Sequence, residues 1–135
     1  MCGICGVLDL RDNGFPAREM EAMTATLRHR GPDDHGIFFS EPASLGFRRL
    51  SIVDLAGGKQ PMTNEDSSIW IVFNGEIYNH RELRPALEHH GHRYTSNSDT
   101  ETILHLYEEY GPECLQHLQG MFGFAIWDGR RKRLF

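Results

Sequence analysis

The chain reads as one α+β domain with largely antiparallel sheets. Strand signals come in runs rather than alternating with helices, and hairpin signatures stand at both ends of the chain, which argues against a parallel doubly wound sheet. With 135 residues, 39% hydrophobic and 24% charged, the chain suits a single domain with a core that needs no staples.

The elements follow in order. Ile4 to Leu10 begins as an apolar run and reads as a buried strand starting almost at the terminus. From Pro16, Met20, Met23 and Leu27 recur at helical spacing, with Glu19 and Glu21 early and His29 and Arg30 late, so a helix is predicted over about Pro16 to His29. Gly31 to Gly36 carries Gly, Pro and Asp chemistry and reads as a loop before strands at Ile37 to Ser40 and Ser44 to Arg48. The turn-rich segment Asp54 to Met62 leads into the strongest strand signal, Ile69 to Phe73, which is expected to stop at Asn74 and Gly75. Asn79 with Glu82 resembles a capping box for a helix running to about His90, although Pro85 fits poorly beyond a first turn. Ser98 and Glu101 form a cleaner box ahead of Ile103, Leu104, Tyr107 and Tyr110, with Gly111 placed to end that helix. A short helical piece around Pro112 to Leu118, a strand in GFAIWD, a turn at Gly129 and Arg130, and a returning strand in RLF complete the chain.

Composition narrows the function classes. Three cysteines are an odd set without a disulfide framework, which favours a reducing compartment and predicts the cytoplasm. No apolar run approaches the length of a bilayer span, so no membrane partner is expected. The net charge is −5, and the cluster Arg130, Arg131, Lys132 and Arg133 has no basic surface around it in sequence, so it reads as a solvated hairpin tip and nucleic acid is not an expected partner.

Cys2 is the most informative residue. Removal of Met1 would leave a thiol and a free α-amine on one residue, a nucleophile with its own base, since an α-amine titrates at about 7.7 to 8.0. The ordinary alternative is an unprocessed terminal cysteine. Cys2 and Cys5 also read as half of a zinc site, but no second pair follows at finger spacing and His89, His90 and His92 crowd a polar segment, so no metal ligands are expected. Cys5 and Cys114 read as small buried hydrophobes. Asn74, Gly75 and Glu76 offer an amide, an unobstructed backbone N–H and a carboxylate, as an oxyanion hole requires, or else form an Asn-Gly hairpin turn. Arg49 either clamps a carboxylate or neutralises surface acids, and Asp99 either binds an ammonium or favours its helix N-terminus.

Taken together, MCGICGV, HRGPDDHG, LGFRRLSIVDLAGGKQPM, FNGEIYNH, SDTETILHLYEEYG and LQGMFGFAIWD resemble the class II glutamine amidotransferase domain of glutamine-hydrolysing asparagine synthetases, in order over essentially the whole chain. The resemblance implies an N-terminal nucleophile hydrolase fold, an αββα sandwich, with residues 1–135 forming a partial amidotransferase type 2 domain that is incomplete at its C-terminus. It implies that Cys2 attacks the glutamine side-chain amide to give a thioester and ammonia, with the Asn74 side chain and the Gly75 N–H holding the oxyanion. Arg49 is expected to bind the substrate α-carboxylate, Glu76 and Asp99 its α-ammonium, and the backbone at Ile52 and Val53 its amide end. The implied partners are L-glutamine and a synthetase domain or subunit, with a homo-oligomer left open. No cofactor is expected for these residues; ATP and Mg belong to a synthetase domain whose nucleotide-binding motifs do not occur here. A glutaminase serving another acceptor, or a non-catalytic remnant that binds glutamine or a synthetase partner, stand as alternatives.

Overall fold

A computed structural model describes residues 2–11, 14–51 and 58–135. Two antiparallel sheets face each other and helices cover both outer faces. The first sheet has the order β1-β3-β2, built from β1 (Gly3–Leu8), β2 (Asp34–Phe38) and β3 (Ala43–Arg49). The second has the order β4-β5-β6-β7, built from β4 (Met62–Thr63), β5 (Ile69–Ile77), β6 (Gly120–Asp128) and β7 (Arg133–Leu134). Helix α1 (Ala17–Thr26), extended by a 3-10 turn at Leu27–His29, lies on the first sheet. Helices α2 (His80–His89) and α3 (Asp99–Tyr110) lie on the second. The α+β class and the four-layer sandwich are therefore both present.

The pleat explains the layering, because alternate residues of a strand face opposite sides. Along β3, Ala43, Leu45 and Phe47 turn inward and pack with Val72 of β5 and Trp127 of β6, which forms the core between the sheets. Along β5 the other phase, Ile69, Ile71, Phe73 and Ile77, meets Leu87 of α2 and Ile103, Leu104, Leu106 and Tyr107 of α3. Strand β5 is thus buried on both faces, which is why its sequence is a continuous apolar run rather than an alternating one.

Several boundaries depart from the sequence reading. Strand β5 does not stop at Asn74 and Gly75 but continues to Ile77, because β6 begins at Gly120 and pairs along its full length, Asn74 opposite Gly123 and Ile77 opposite Gly120. A Cβ on Gly120 would lie 2.1 Å from the Glu76 carbonyl oxygen, so only glycine allows this close pairing. Strand β2 starts at Asp34, inside the segment read as a loop, since Asp34, His35 and Gly36 pair with Arg49, Arg48 and Phe47. The Asn79–Glu82 box does not form. Asn79 instead donates through Nδ2 to the His117 carbonyl at 2.9 Å and accepts the Gln119 N–H at 3.0 Å, tying the start of α2 to the approach to β6. Pro85 lies within α2 at an exposed position, and the helix continues through it to His89.

Of the Ser98–Glu101 box only half is made: Ser98 Oγ accepts the Thr100 N–H, whereas Glu101 turns back to Thr95 and Ser96. The basic cluster sits at the β6–β7 hairpin tip as expected, with Arg130 paired to Asp66 and Arg131 to Asp128. Burial pushes the Cys114 thiol up to about 11, in keeping with an inert core cysteine. Cys5 is only partly buried and rests against Thr24 of α1 at 3.6 Å. Among the described residues no helix is long and apolar enough to cross a membrane.

Candidate active site

Cys2 stands immediately before β1, and the pairing of Gly3 with Arg48 brings it beside the end of β3. The Leu50 N–H points at its Sγ at 3.5 Å, the thiol lies 3.9 Å from the Leu50 carbonyl oxygen, and Arg30 Nε donates to the Cys2 carbonyl at 3.4 Å. The chain start is therefore anchored by a strand ladder and a guanidinium. Arg49, the last residue of β3, is 7% exposed, so its charge is held at the protein wall rather than in bulk water.

Asn74, Gly75 and Glu76 lie within β5 rather than at a turn. Strand alternation sets Asn74 and Glu76 in phase with Val72, toward the first sheet that carries Cys2 and Arg49. Gly75 has φ +152°, and a Cβ there would come within 2.2 Å of the Met121 carbonyl oxygen and 2.6 Å of Phe122 Cα. Both conformation and contact demand glycine at this position. The hairpin-turn alternative for Asn-Gly is overturned by the nine-residue ladder that runs through it.

Asp99 is the first residue of α3, and its Oδ2 accepts the Ile77 N–H at 2.9 Å, which fastens the helix start to the end of β5. Burial raises its pKa, and the nearby Glu76 charge adds to the rise; the Ile77 and Thr100 N–H groups and the His80 charge oppose it. Gln60, in the segment read only as turn-rich, joins the same region: its Oε1 accepts the Phe73 N–H at 2.6 Å and its Nε2 donates to Thr100 Oγ1 at 3.3 Å. No sequence signal marked Gln60. The glutamine after a glycine pair and before Pro61 reads as turn chemistry, and only the fold puts its amide against β5 and α3.

All of Cys2, Arg49, Asn74, Gly75, Glu76 and Asp99 line one cavity of about 390 Å³, with Gln60 and His80 also in its wall. Six positions spread over 98 residues of chain converge on it, from β3, β5, α3 and the residue that precedes β1. Ile52 and Val53, expected at the substrate's amide end, lie outside the described residues, as does Met1. The arrangement offers one guanidinium, two carboxylates, a side-chain amide and a thiol within a volume that suits a small polar ligand. Opposed fixed charges recognise a zwitterion, and a thiol next to amide donors suits acyl transfer.

Comparison with known proteins identifies the family. The glutamine amidotransferase domain family matches residues 1–135. Glutamine-hydrolysing asparagine synthetase 3 of Bacillus subtilis strain 168 is 42% identical over 138 aligned residues, which cover 100% of this chain and 22% of that protein. Glutamine-hydrolysing asparagine synthetase 2 of Oryza sativa subsp. japonica is 46% identical, over 98% of this chain and 22% of its own length. The chain thus spans about a fifth of the length of these relatives. Among solved structures, glutamine phosphoribosylpyrophosphate amidotransferase from B. subtilis superposes with a TM-score of 0.68 at 20% identity, covering 95% of this chain and 35% of that one, and so shares the N-terminal nucleophile hydrolase fold. With the family matched from residue 1 to residue 135, the chain belongs to the glutamine amidotransferase domain family.

Proposed function

We propose that this domain hydrolyses the side-chain amide of L-glutamine through Cys2 and passes the ammonia to a synthetase domain or subunit that amidates aspartate. The observation that carries the reading is the shared cavity of Cys2, Arg49, Asn74, Gly75, Glu76 and Asp99. In this reading Arg49 pairs with the substrate α-carboxylate while Glu76 and Asp99 face its α-ammonium, which fixes the amino-acid end and presents the amide carbon to sulfur. With Met1 removed, the α-amine takes the thiol proton. Sulfur bonds to the amide carbon, and the electron pair moves onto the oxygen, which the Asn74 Nδ2–H and the Gly75 N–H stabilise. Collapse expels the amide nitrogen, which receives the proton from the α-amine and leaves as ammonia. Water then cleaves the thioester to glutamate and restores the thiol. Every group in this sequence belongs to the chain, the substrate or water; ATP and Mg are assigned to aspartate activation in the synthetase part, and the compartment proposed is the cytoplasm.

The test is stoichiometric. The protein with Met1 removed should release glutamate and ammonia in equal amounts from glutamine, and Cys2→Ala should release neither. Glutamine binding without turnover would instead favour a non-catalytic glutamine-binding domain. If hydrolysis occurs, supplying a synthetase part with aspartate and ATP decides the acceptor: asparagine formation supports the proposal, and its failure leaves a glutaminase for another acceptor.

A further inference from the structure

Away from the glutamine pocket, four side chains from three separate segments meet on the far part of α3. Glu65 comes from the β4–β5 connection, His92 from the segment after α2, and His105 and Glu108 from consecutive turns of α3; one ligand atom of each lies within 4.8 Å of every other. His105 Nδ1 is 3.1 Å and His92 Nδ1 3.6 Å from the same Glu108 Oε2. Ligand atoms about 2.0 to 2.2 Å from a tetrahedral zinc ion stand roughly 3.3 to 3.6 Å apart; these two spacings bracket that edge, and the full set, within 4.8 Å, closes onto an ion by side-chain movement.

The surroundings are arranged as metal-binding imidazoles require. The second nitrogen of His92, Nε2, is 2.8 Å from Glu109 Oε1, and Asn64 Nδ2 donates to the other oxygen of Glu108 at 2.7 Å. His105 is 1% exposed, and its Nε2 is buried with no hydrogen-bond partner, 3.9 Å from Glu101 Oε1. A carboxylate only accepts, so contact with Glu108 places the ring proton on Nδ1 and leaves Nε2 a buried, unpaired acceptor. A cation on Nδ1 reverses this: the proton moves to Nε2 and faces Glu101. At 3.9 Å this approach is longer than a hydrogen bond, so the Glu101 carboxylate acts on a metal-bound imidazole through charge alone.

We propose that Glu65, His92, His105 and Glu108 bind one divalent transition-metal ion of the zinc class, in a closed structural site that clamps the β4–β5 connection and the end of α2 to α3. Two imidazoles with two carboxylates suit zinc better than magnesium or calcium, which take oxygen donors. The sequence reading, which looked for finger spacing, expected no metal ligands; the usable signal is the i,i+3 pair His105–Glu108 on one helix face.

The test uses tag-free protein stripped with chelator, in a Cys2→Ala, Cys5→Ala background so that no terminal thiol competes. Zinc titration followed by elemental analysis should give one equivalent bound and a rise in Tm, and Co2+ should give the visible absorption of a tetrahedral site without thiolate charge-transfer bands. Glu65→Gln changes an exposed ligand and His92→Gln a half-buried one, both outside the helix; each should weaken binding by at least about tenfold, with the metal-free Tm of Glu65→Gln staying near that of the parent. His105→Gln should do the same if it folds. Overturning results are absence of saturable zinc binding with no change in Tm, or undiminished binding in the Glu65→Gln, His92→Gln double variant.

Discussion

The two walls of the proposed glutamine pocket are built differently. On the side of α3 the recognition groups sit in a dense polar network: Ser98 caps the helix, Asp99 holds the Ile77 N–H, Gln60 bridges Phe73 and Thr100, and the buried Glu101 carboxylate accepts from the backbone and hydroxyls of Thr95 and Ser96. On the opposite wall Cys2 is positioned by the β1–β3 ladder and by Arg30, and its sulfur meets only the Leu50 backbone, at 3.5 and 3.9 Å, among the hydrogen bonds of the described residues. The wall that carries Asp99 is cross-tied through side chains, and the wall that carries Cys2 and Arg49 is placed by the β1–β3 backbone pairing. A nucleophile must move through bonding distance during acyl transfer, whereas charges that recognise a zwitterion work best when fixed.

The largest effect separates the walls outright. Cys2→Ala should lower glutamine turnover by at least about a thousandfold while leaving glutamine binding within a fewfold, measured by calorimetry. Next comes Asn74→Ala, which removes an oxyanion donor while the strand pairing persists. It should reduce kcat by about a hundredfold to a thousandfold with little change in KM, checked by steady-state ammonia release.

On the recognition wall the expected change is in KM. Asp99→Asn keeps an oxygen for the Ile77 N–H but removes the charge, and should raise the glutamine KM by about tenfold to a hundredfold, the worth of a charged hydrogen bond. Because burial raises the Asp99 pKa, the group loses its charge at a higher pH than an ordinary carboxylate as the solution is acidified. KM in the parent protein should therefore climb as pH falls into that range, and the profile of Asp99→Asn should be flat there. The sign for stability is the reverse. A carboxyl whose folded pKa lies above its unfolded value binds protons better when folded, so Asp99 favours folding below its unfolded pKa and loses that contribution as pH rises through the folded one. The smallest effect belongs to Ser98→Ala, which removes the α3 cap and should cost about 1 kcal/mol in denaturant unfolding, with a modest rise in KM and no change in kcat.

The same contrast explains what was legible in the sequence. Helices α1 and α3 and the inner part of β5 announce themselves through periodicity and a continuous apolar run, because burial acts on residues near one another in the chain. The end of β5 is not legible because Asn-Gly is a strong local turn signal, and what overrides it is non-local: Gly120, on a strand over forty residues away, accepts the close pairing. Asn79 failed as a cap for a similar reason, since its amide is claimed by the backbone near β6. The candidate site was named through motif resemblance, while its convergence into one cavity depends on strand register that no local pattern reports. Gln60 has no local signature of its own, and the cluster on α3 shows in sequence only its i,i+3 pair His105–Glu108, so tertiary placement is what reveals both.

In the proposed reaction Cys2, freed of Met1, is the nucleophile of this pocket. Intact-mass analysis after incubation with a glutamine-like chloroketone tests it most directly. One adduct per chain is expected, mapped to Cys2 in molecules that lack Met1 and suppressed by excess glutamine. Labelling of Cys5 or Cys114 at an equal rate in folded protein, or full turnover in molecules that all retain Met1, would contradict it.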